Sequence, residues 1–392
     1  PTCAQLLGDL GASVLKIENP DTGGDDTRVW GPPFVQDGEG RDSDLSTYFI
    51  CANRNKRSVA VDIASPEGQE TIRRLAAAAD VLIENFKPGG LVKYGLDYAS
   101  LAAHCPQLVY CSISGFGQTG PLSQQPCFDI IAQGYSGLMH MTGDPEGPPL
   151  FTGNAVADSN AGVHGFAAIG HALFHRERTG RGTHLDIAMI DALFHYQEQS
   201  VHGISMDPIN FVAMRQGRNY PTLSPAGTFR GPHGWITVVC TEWQMKNLWA
   251  AMGRPELADD PRFDSNPNRI EYREELTAII ESWMATFDTD EELLAVLEEA
   301  RVPAGPVLSP ADALEHPHFL ERGVVRFVED PLAGRVALPG FPFKSSDPLP
   351  PDEHATAALG EHNREVLEEL LGYDEARIAE LEAAGVLTSK PH

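Results

Sequence analysis

Apolar residues follow two rhythms along this chain of 392 residues. In the first part, short apolar runs recur at 12–18, 58–63, 80–84 and 108–113, each of strand length and rich in β-branched residues. Helix-forming stretches lie between them. One covers 4–10, and another opens at Ser65-Pro66-Glu67-Gly68, with Pro at the first helical position and an acidic first turn. Such alternation predicts a parallel sheet covered by helices on both faces. Two longer helices are predicted over 158–176 and from 184 to about 212. After a loop at 215–225 the texture changes: 234–239 reads as a strand, and 242–252, 273–285 and 290–299 as amphipathic helices. The segment 303–307 leaves this region, Pro-rich stretches around 339–351 cross the surface, and helices over 361–371 and 374–384 close the chain. The pattern predicts an α/β large domain over 1–200, a small α+β domain over 216–302, and a return to the large domain over 303–392.

Hydrophobic residues make up 42% of the chain, the proportion of a folded globular protein. The formal net charge of −26 argues against nucleic acid and anionic membranes as partners, since both select clustered Lys and Arg. Any anionic substrate must find a local basic pocket against that field. The cysteines, Cys3, Cys51, Cys105, Cys111, Cys127 and Cys240, form no CxxC pair, so reduced thiols are expected rather than disulfides or a metal site. No apolar run approaches membrane-spanning length and no signal peptide is visible, and a cytoplasmic protein is expected. The chain opens with Pro1 inside a helix-forming stretch, which predicts that the natural protein has residues before it. Gly115-Phe116-Gly117-Gln118-Thr119-Gly120 follows a strand but runs into Pro121 without a helix start, so it is no dinucleotide fingerprint.

Asp158 carries the most pointed chemistry. It ends a turn-rich segment, Phe151-Thr152-Gly153-Asn154-Ala155-Val156-Ala157, and precedes a Gly- and Ala-rich helical stretch. A carboxylate at a helix start is either an ordinary N-cap or a group poised for reaction where backbone N–H groups are unpaired.

Several segments together resemble one family. They include Gln5-Leu6-Leu7-Gly8-Asp9-Leu10-Gly11-Ala12, Asn53-Arg54-Asn55-Lys56-Arg57-Ser58 and Ala79-Asp80-Val81-Leu82-Ile83-Glu84-Asn85-Phe86-Lys87-Pro88-Gly89. Ser112-Ile113-Ser114-Gly115-Phe116-Gly117-Gln118-Thr119-Gly120-Pro121, Phe128-Asp129-Ile130-Ile131-Ala132-Gln133, the Asp158 segment, Gly305-Pro306-Val307 and Leu359-Gly360-Glu361-His362 follow in order over nearly the whole chain. The ordered set resembles the class III CoA-transferases, the CaiB/BaiF group that includes formyl-CoA and carnitine CoA-transferases and shares its fold with α-methylacyl-CoA racemase. The resemblance implies a Rossmann-like large domain, a small domain and an interlocked homodimer. It implies Asp158 as the nucleophile that accepts an acyl group from a thioester as a mixed anhydride, then holds CoA as a thioester until an acceptor acid takes it. Acyl-CoA and a small carboxylic acid are then the substrates, with no permanently bound cofactor and no metal. Gly115, Gly117 and Gln118, with the N–H groups of the Asp158 helix, are candidates to stabilise oxyanions. The resemblance places CoA against Asn53, Arg54, Lys56, Asn85, Phe86, Lys87 and Lys93, basic and stacking residues suited to phosphates and adenine. Arg57 is open to the same role or to a strand edge, and Asn19 stands where many relatives have Arg.

The racemases use a His/Asp pair to move an α-proton. Their His falls at Phe128, which holds no proton to move. His140, His164 and Glu242, which aligns with a racemase acid, stay open as substitutes or as structural residues, and Asp129 as a site or packing residue. A CoA-transferase is therefore the leading expectation. A 2-methylacyl-CoA racemase and an inactive, dimeric acyl-CoA-binding protein are the alternatives.

Overall fold

Five short parallel strands frame the larger part of the molecule. The computed structural model describes residues 1–36, 42–209, 211–330, 333–342, 344–347 and 355–390. Part of the Pro-rich stretch expected around 339–351 lies outside them. Strand β1 (Leu15–Glu18) pairs with β2 (Arg57–Ala60), and β3 (Val81–Glu84), β4 (Val109–Ser114) and β5 (Thr183–Ala188) form a second ladder, all pairs parallel. The expected sheet is thus present as two ladders. Alternate residues of β4 point to opposite faces. Val109 and Cys111 pack with Cys3, Ile169 and Ala172 from helices α1 (Thr2–Gly8) and α5 (Val156–Thr179). Tyr110 packs in a core with Ile72 and Leu75 of α3 (Pro66–Ala78) and with Val366 and Ile378 of α7 (Asn363–Leu371) and α8 (Glu375–Ala383). Helices therefore cover both faces, and the C-terminal helices complete the second one. The remaining helices that matter for the site are α2 (Thr47–Asn53), α4 (Asp129–Tyr135) and α6 (Met189–Phe194).

The long helix expected from 184 to 212 is corrected. Its first residues form β5, and α6 and a helix at Glu198–Met206 follow. Gly180 ends α5 in a left-handed conformation, φ 69°, with its N–H on the Arg176 carbonyl. At Gly182 a Cβ would lie 2.1 Å from the Leu108 carbonyl oxygen, so the backbone can approach the start of β4 only with glycine there. That approach delivers Thr183 opposite Val109 and sets the register of β5.

The chain divides into two compact units. The larger comprises Pro1–Gly137, Gly153–Glu198 and Pro317–His392, and the smaller Leu138–Thr152 and Gln199–His316. The smaller unit thus takes in more chain than the segment 216–302 read from sequence. Its antiparallel sheet runs Ala304–Pro306, Trp235–Val239, Ala226–Arg230, packed on the helices Glu242–Ala251, Arg273–Met284 and Asp290–Glu299. Among the described residues no helix is long and apolar enough to cross a membrane, and all six cysteines are free.

Candidate active site

Asp158 is not the N-cap of its helix. Helix α5 starts at Val156 after Ala155, which makes no side-chain cap, and Asp158 is the third helical residue. The cap comes from elsewhere in the chain. Asp129, the first residue of α4, accepts hydrogen bonds through Oδ1 from the backbone N–H of Ala157 at 2.6 Å and of Asp158 at 3.3 Å. Its Oδ2 accepts from Gln133 Nε2 at 2.5 Å, one turn along the same helix. The N–H of Val156 is engaged by the Asn154 carbonyl and that of Ser159 by Ala155. The expectation that this helix start stabilises an oxyanion therefore gives way, because its first N–H groups already have acceptors.

The Asp158 carboxylate itself accepts no hydrogen bond from any described residue. It is exposed to solvent, yet partial burial, and after it the charge of Asp129, push its pKa above the ordinary 3.8. Cys127 shares that field: burial, then Asp158 and Asp129, hold its thiol above its usual range. That is the opposite of what a thiolate nucleophile requires. Tyr48 of α2 also faces the pair, and burial followed by Asp158 raises its phenol, which remains a proton donor. Tyr48 was not singled out from sequence. It lies ahead of the basic motif at 53–57, and its ring stands 6.1 Å from that of Trp30.

The glycine loop lies against this site. A Cβ on Gly115 would come within 2.0 Å of Cys127 Cβ, so the loop packs directly under the turn that presents Phe128 and Asp129. Gly117 has φ 84°. The Gln118 N–H is taken by both carboxylate oxygens of Asp186, at 3.1 and 3.0 Å, which removes it as an oxyanion donor. Gln118 Nε2 and Ser114 Oγ are buried without hydrogen-bond partners among the described residues. Phe128 is 67% exposed and carries no titrating group. His164 stays within its own helix, with Nδ1 2.9 Å from the Asn160 carbonyl oxygen. Glu242 belongs to the smaller unit, where it pairs with buried Arg269, itself fixed by the Ser224 and Phe263 carbonyls. His140 also lies in that unit.

The residues expected to bind CoA fall into two groups. Asn53, Arg54 and Lys56 are buried and committed internally. Arg54 donates to Asp9 and the Cys51 carbonyl, both at 2.7 Å. Lys56, 3% exposed, donates to Ala52 O, Asn53 Oδ1 and Pro1 O, and burial pushes its ammonium down to about 7. Arg57 pairs with Glu365 and Glu369 of α7. The second group follows β3. Asn85 donates to the Ile113 carbonyl, Phe86 is 49% exposed, and Lys87 and Lys93 are exposed, the latter with its ammonium 4.5 Å from the Tyr94 ring centre. The open cleft lined by Met252, Arg254, Ile279 and Trp283 belongs to the smaller unit and contains none of these residues.

Residues 1–363 match the family model described as CoA-transferase family III. A succinate–glutarate CoA-transferase of Agrobacterium fabrum is 39% identical, with 94% of this chain and 92% of that protein covered. The human succinyl-CoA:glutarate CoA-transferase is 36% identical, covering 99% of this chain and 86% of its own. A crystal structure of a CaiB/BaiF family protein from Brucella suis superposes with a TM-score of 0.81 at 40% identity, covering 94% of this chain and 95% of that one.

Proposed function

From the premise that this chain belongs to CoA-transferase family III, we propose that it moves CoA between small dicarboxylic acids with Asp158 as covalent nucleophile. One observation carries the role of Asp158: a solvent-exposed carboxylate in the first turn of α5 that accepts no hydrogen bond from the described residues and lies beside a second carboxylate, with its pKa raised. A carboxylate whose pKa is raised by burial and by a neighbouring like charge has the environment of a functional group rather than of a stabilising ion pair, and this supports the assignment. The dicarboxylate class is supported by the succinate and glutarate named in the two relatives.

The sequence of bonds is balanced throughout. An Asp158 oxygen attacks the thioester carbon, the C–S bond breaks, and a mixed anhydride and CoA thiolate result. The thiolate attacks the aspartyl carbonyl, releases the donor acid and leaves an aspartyl-CoA thioester. The acceptor carboxylate displaces CoA in the same way, and CoA then attacks the acceptor carbonyl and restores Asp158. Bonds of similar energy are exchanged at each stage. The protein's task is to orient these groups and exclude water. Phe86 offers a face for adenine, and Lys87 and Lys93 offer charge for phosphates. A homodimer belongs to the same reading, supported by exposed Ile130, Ile131 and Tyr135 on α4 beside Phe128, and so does a cytoplasmic setting. Phe128 leaves no imidazole next to Asp129, which disfavours the racemase alternative.

Hydroxylamine added during turnover with succinyl-CoA and glutarate should convert Asp158 to a hydroxamate, read by peptide mass. Asp158→Ala should lose transfer on the order of 10⁴-fold or more. Turnover with an unmodified Asp158 peptide sinks the covalent reading.

A further inference from the structure

We propose that Asp129 is the positioning residue that makes Asp158 reactive, by capping the helix that carries it and by holding a second negative charge beside it. This goes beyond the assignment of Asp158 as nucleophile and rests on it.

Three donors converge on the Asp129 carboxylate: the N–H groups of Ala157 and Asp158, and the amide of Gln133. Gln133 is fully buried. Two helices thus lock the carboxylate from opposite ends, and it cannot swing away from α5. An ordinary tertiary cap needs only an oxygen acceptor, which Asn or Ser supplies as well as Asp. What Asp adds is charge, placed where it repels the neighbouring carboxylate.

That repulsion has a direction in the reaction. In the resting enzyme two carboxylates lie close together, with Asp129 hydrogen-bonded to the backbone N–H of Asp158. When an Asp158 oxygen shares its electron pair with the thioester carbon, the C–S bond breaks and CoA leaves carrying the negative charge. The anhydride and the later thioester at position 158 are both neutral. Each acylated state therefore relieves a repulsion present only in the free enzyme, so the Asp129 charge favours acylation. It also raises the basicity of the attacking oxygen while leaving it ionised near neutral pH. The other titrating groups whose charge acts together with that of Asp158 are the Cys127 thiol and the Tyr48 phenol.

Asp129→Asn separates charge from capping, since an amide oxygen still accepts from Ala157. The expected result is a folded enzyme whose acid limb of kcat/KM moves to lower pH and which yields less Asp158 hydroxamate at equal donor concentration. An unmoved limb, or an unchanged trapped fraction, overturns the proposal. If Asp129→Asn does not fold, carbon-13 NMR of aspartate carboxyls in the wild-type protein decides. The signal lost in Asp158→Asn should titrate above the ordinary 3.8, and titration at or below that value overturns the proposal. Trapping in the wild type keeps the two ideas apart. No hydroxamate there removes the nucleophile, whereas trapping with an unmoved limb removes only the role of Asp129.

Discussion

Lys56 and Lys93 carry the same ammonium and do different work. Lys56 is sealed in, with three oxygen acceptors and a folded pKa of about 7 against an ordinary 10.5. Lys93 is exposed and holds its charge over Tyr94, where a phosphate can approach. Sequence showed both as basic residues in family motifs and had no means of separating them, because burial depends on α1 and α2 closing around Lys56. Lys87→Ala and Lys93→Ala should each raise KM for acyl-CoA roughly two- to fivefold, about 1 kcal/mol or less for an exposed charge contact, with unchanged thermal stability. Lys56→Met should leave that KM in place and lower stability by about 1–3 kcal/mol, since it strands acceptors that the ammonium now satisfies. The pH dependence follows with a definite sign. A folded pKa below the unfolded one means that the unfolded chain binds more protons between about 7 and 10.5, so the contribution of Lys56 to stability rises with pH across that window. Denaturant midpoints of wild type and Lys56→Met should therefore diverge as pH rises through it.

At the scale of elements, the site depends on a loop, a turn and two helix starts meeting at short distance. Gly115→Ala tests that meeting, because the added methyl falls within 2.0 Å of Cys127 Cβ and must displace either the loop or the turn bearing Asp129. Overpacking of this kind costs about 1–3 kcal/mol of stability. A shift of about 1 Å at a catalytic group lowers kcat on the order of 100-fold. Activity should thus fall far more than the melting temperature, and Cys127→Gly in the same chain should restore part of it. Equal, small losses in both measurements count against the coupling of loop to site. What was legible beforehand follows the same geometry. The strands β2, β3 and β4 are short β-branched runs between helices, and local pattern marks them. Strand β5 was hidden because His184-Leu185-Asp186-Ile187-Ala188 sits between two helical stretches, and only its approach to β4 at Gly182 makes it a strand. Asp158, the proposed nucleophile, was visible from its motif, two residues inside the actual start of α5. Its cap was not, since Asp129 lies 28 residues before Ala157 and the bond exists only once α4 packs on α5.

For the whole molecule the governing quantity is charge. The chain carries 55 acidic and 29 basic Lys and Arg residues, a formal −26, and its proposed substrate is a polyanion. Several of the few cations are spent internally: Arg28 on Glu18, Arg54 on Asp9, Arg57 on Glu365 and Glu369. The long-range field therefore repels acyl-CoA, while Lys87 and Lys93 attract it only at contact. Salt separates these two effects because they differ in reach. The screening length falls from about 30 Å at 0.01 M to about 10 Å at 0.1 M ionic strength, which removes most of the distant repulsion and little of a contact at a few ångströms. The value of kcat/KM for acyl-CoA should accordingly rise over that range of sodium chloride, with kcat nearly constant, because encounter and not bond exchange is being relieved. The direction is what discriminates. A decline with salt from the lowest concentration means that the basic residues after β3 dominate the field at the site mouth. In that case neutralising Lys87 and Lys93 together should reverse the slope.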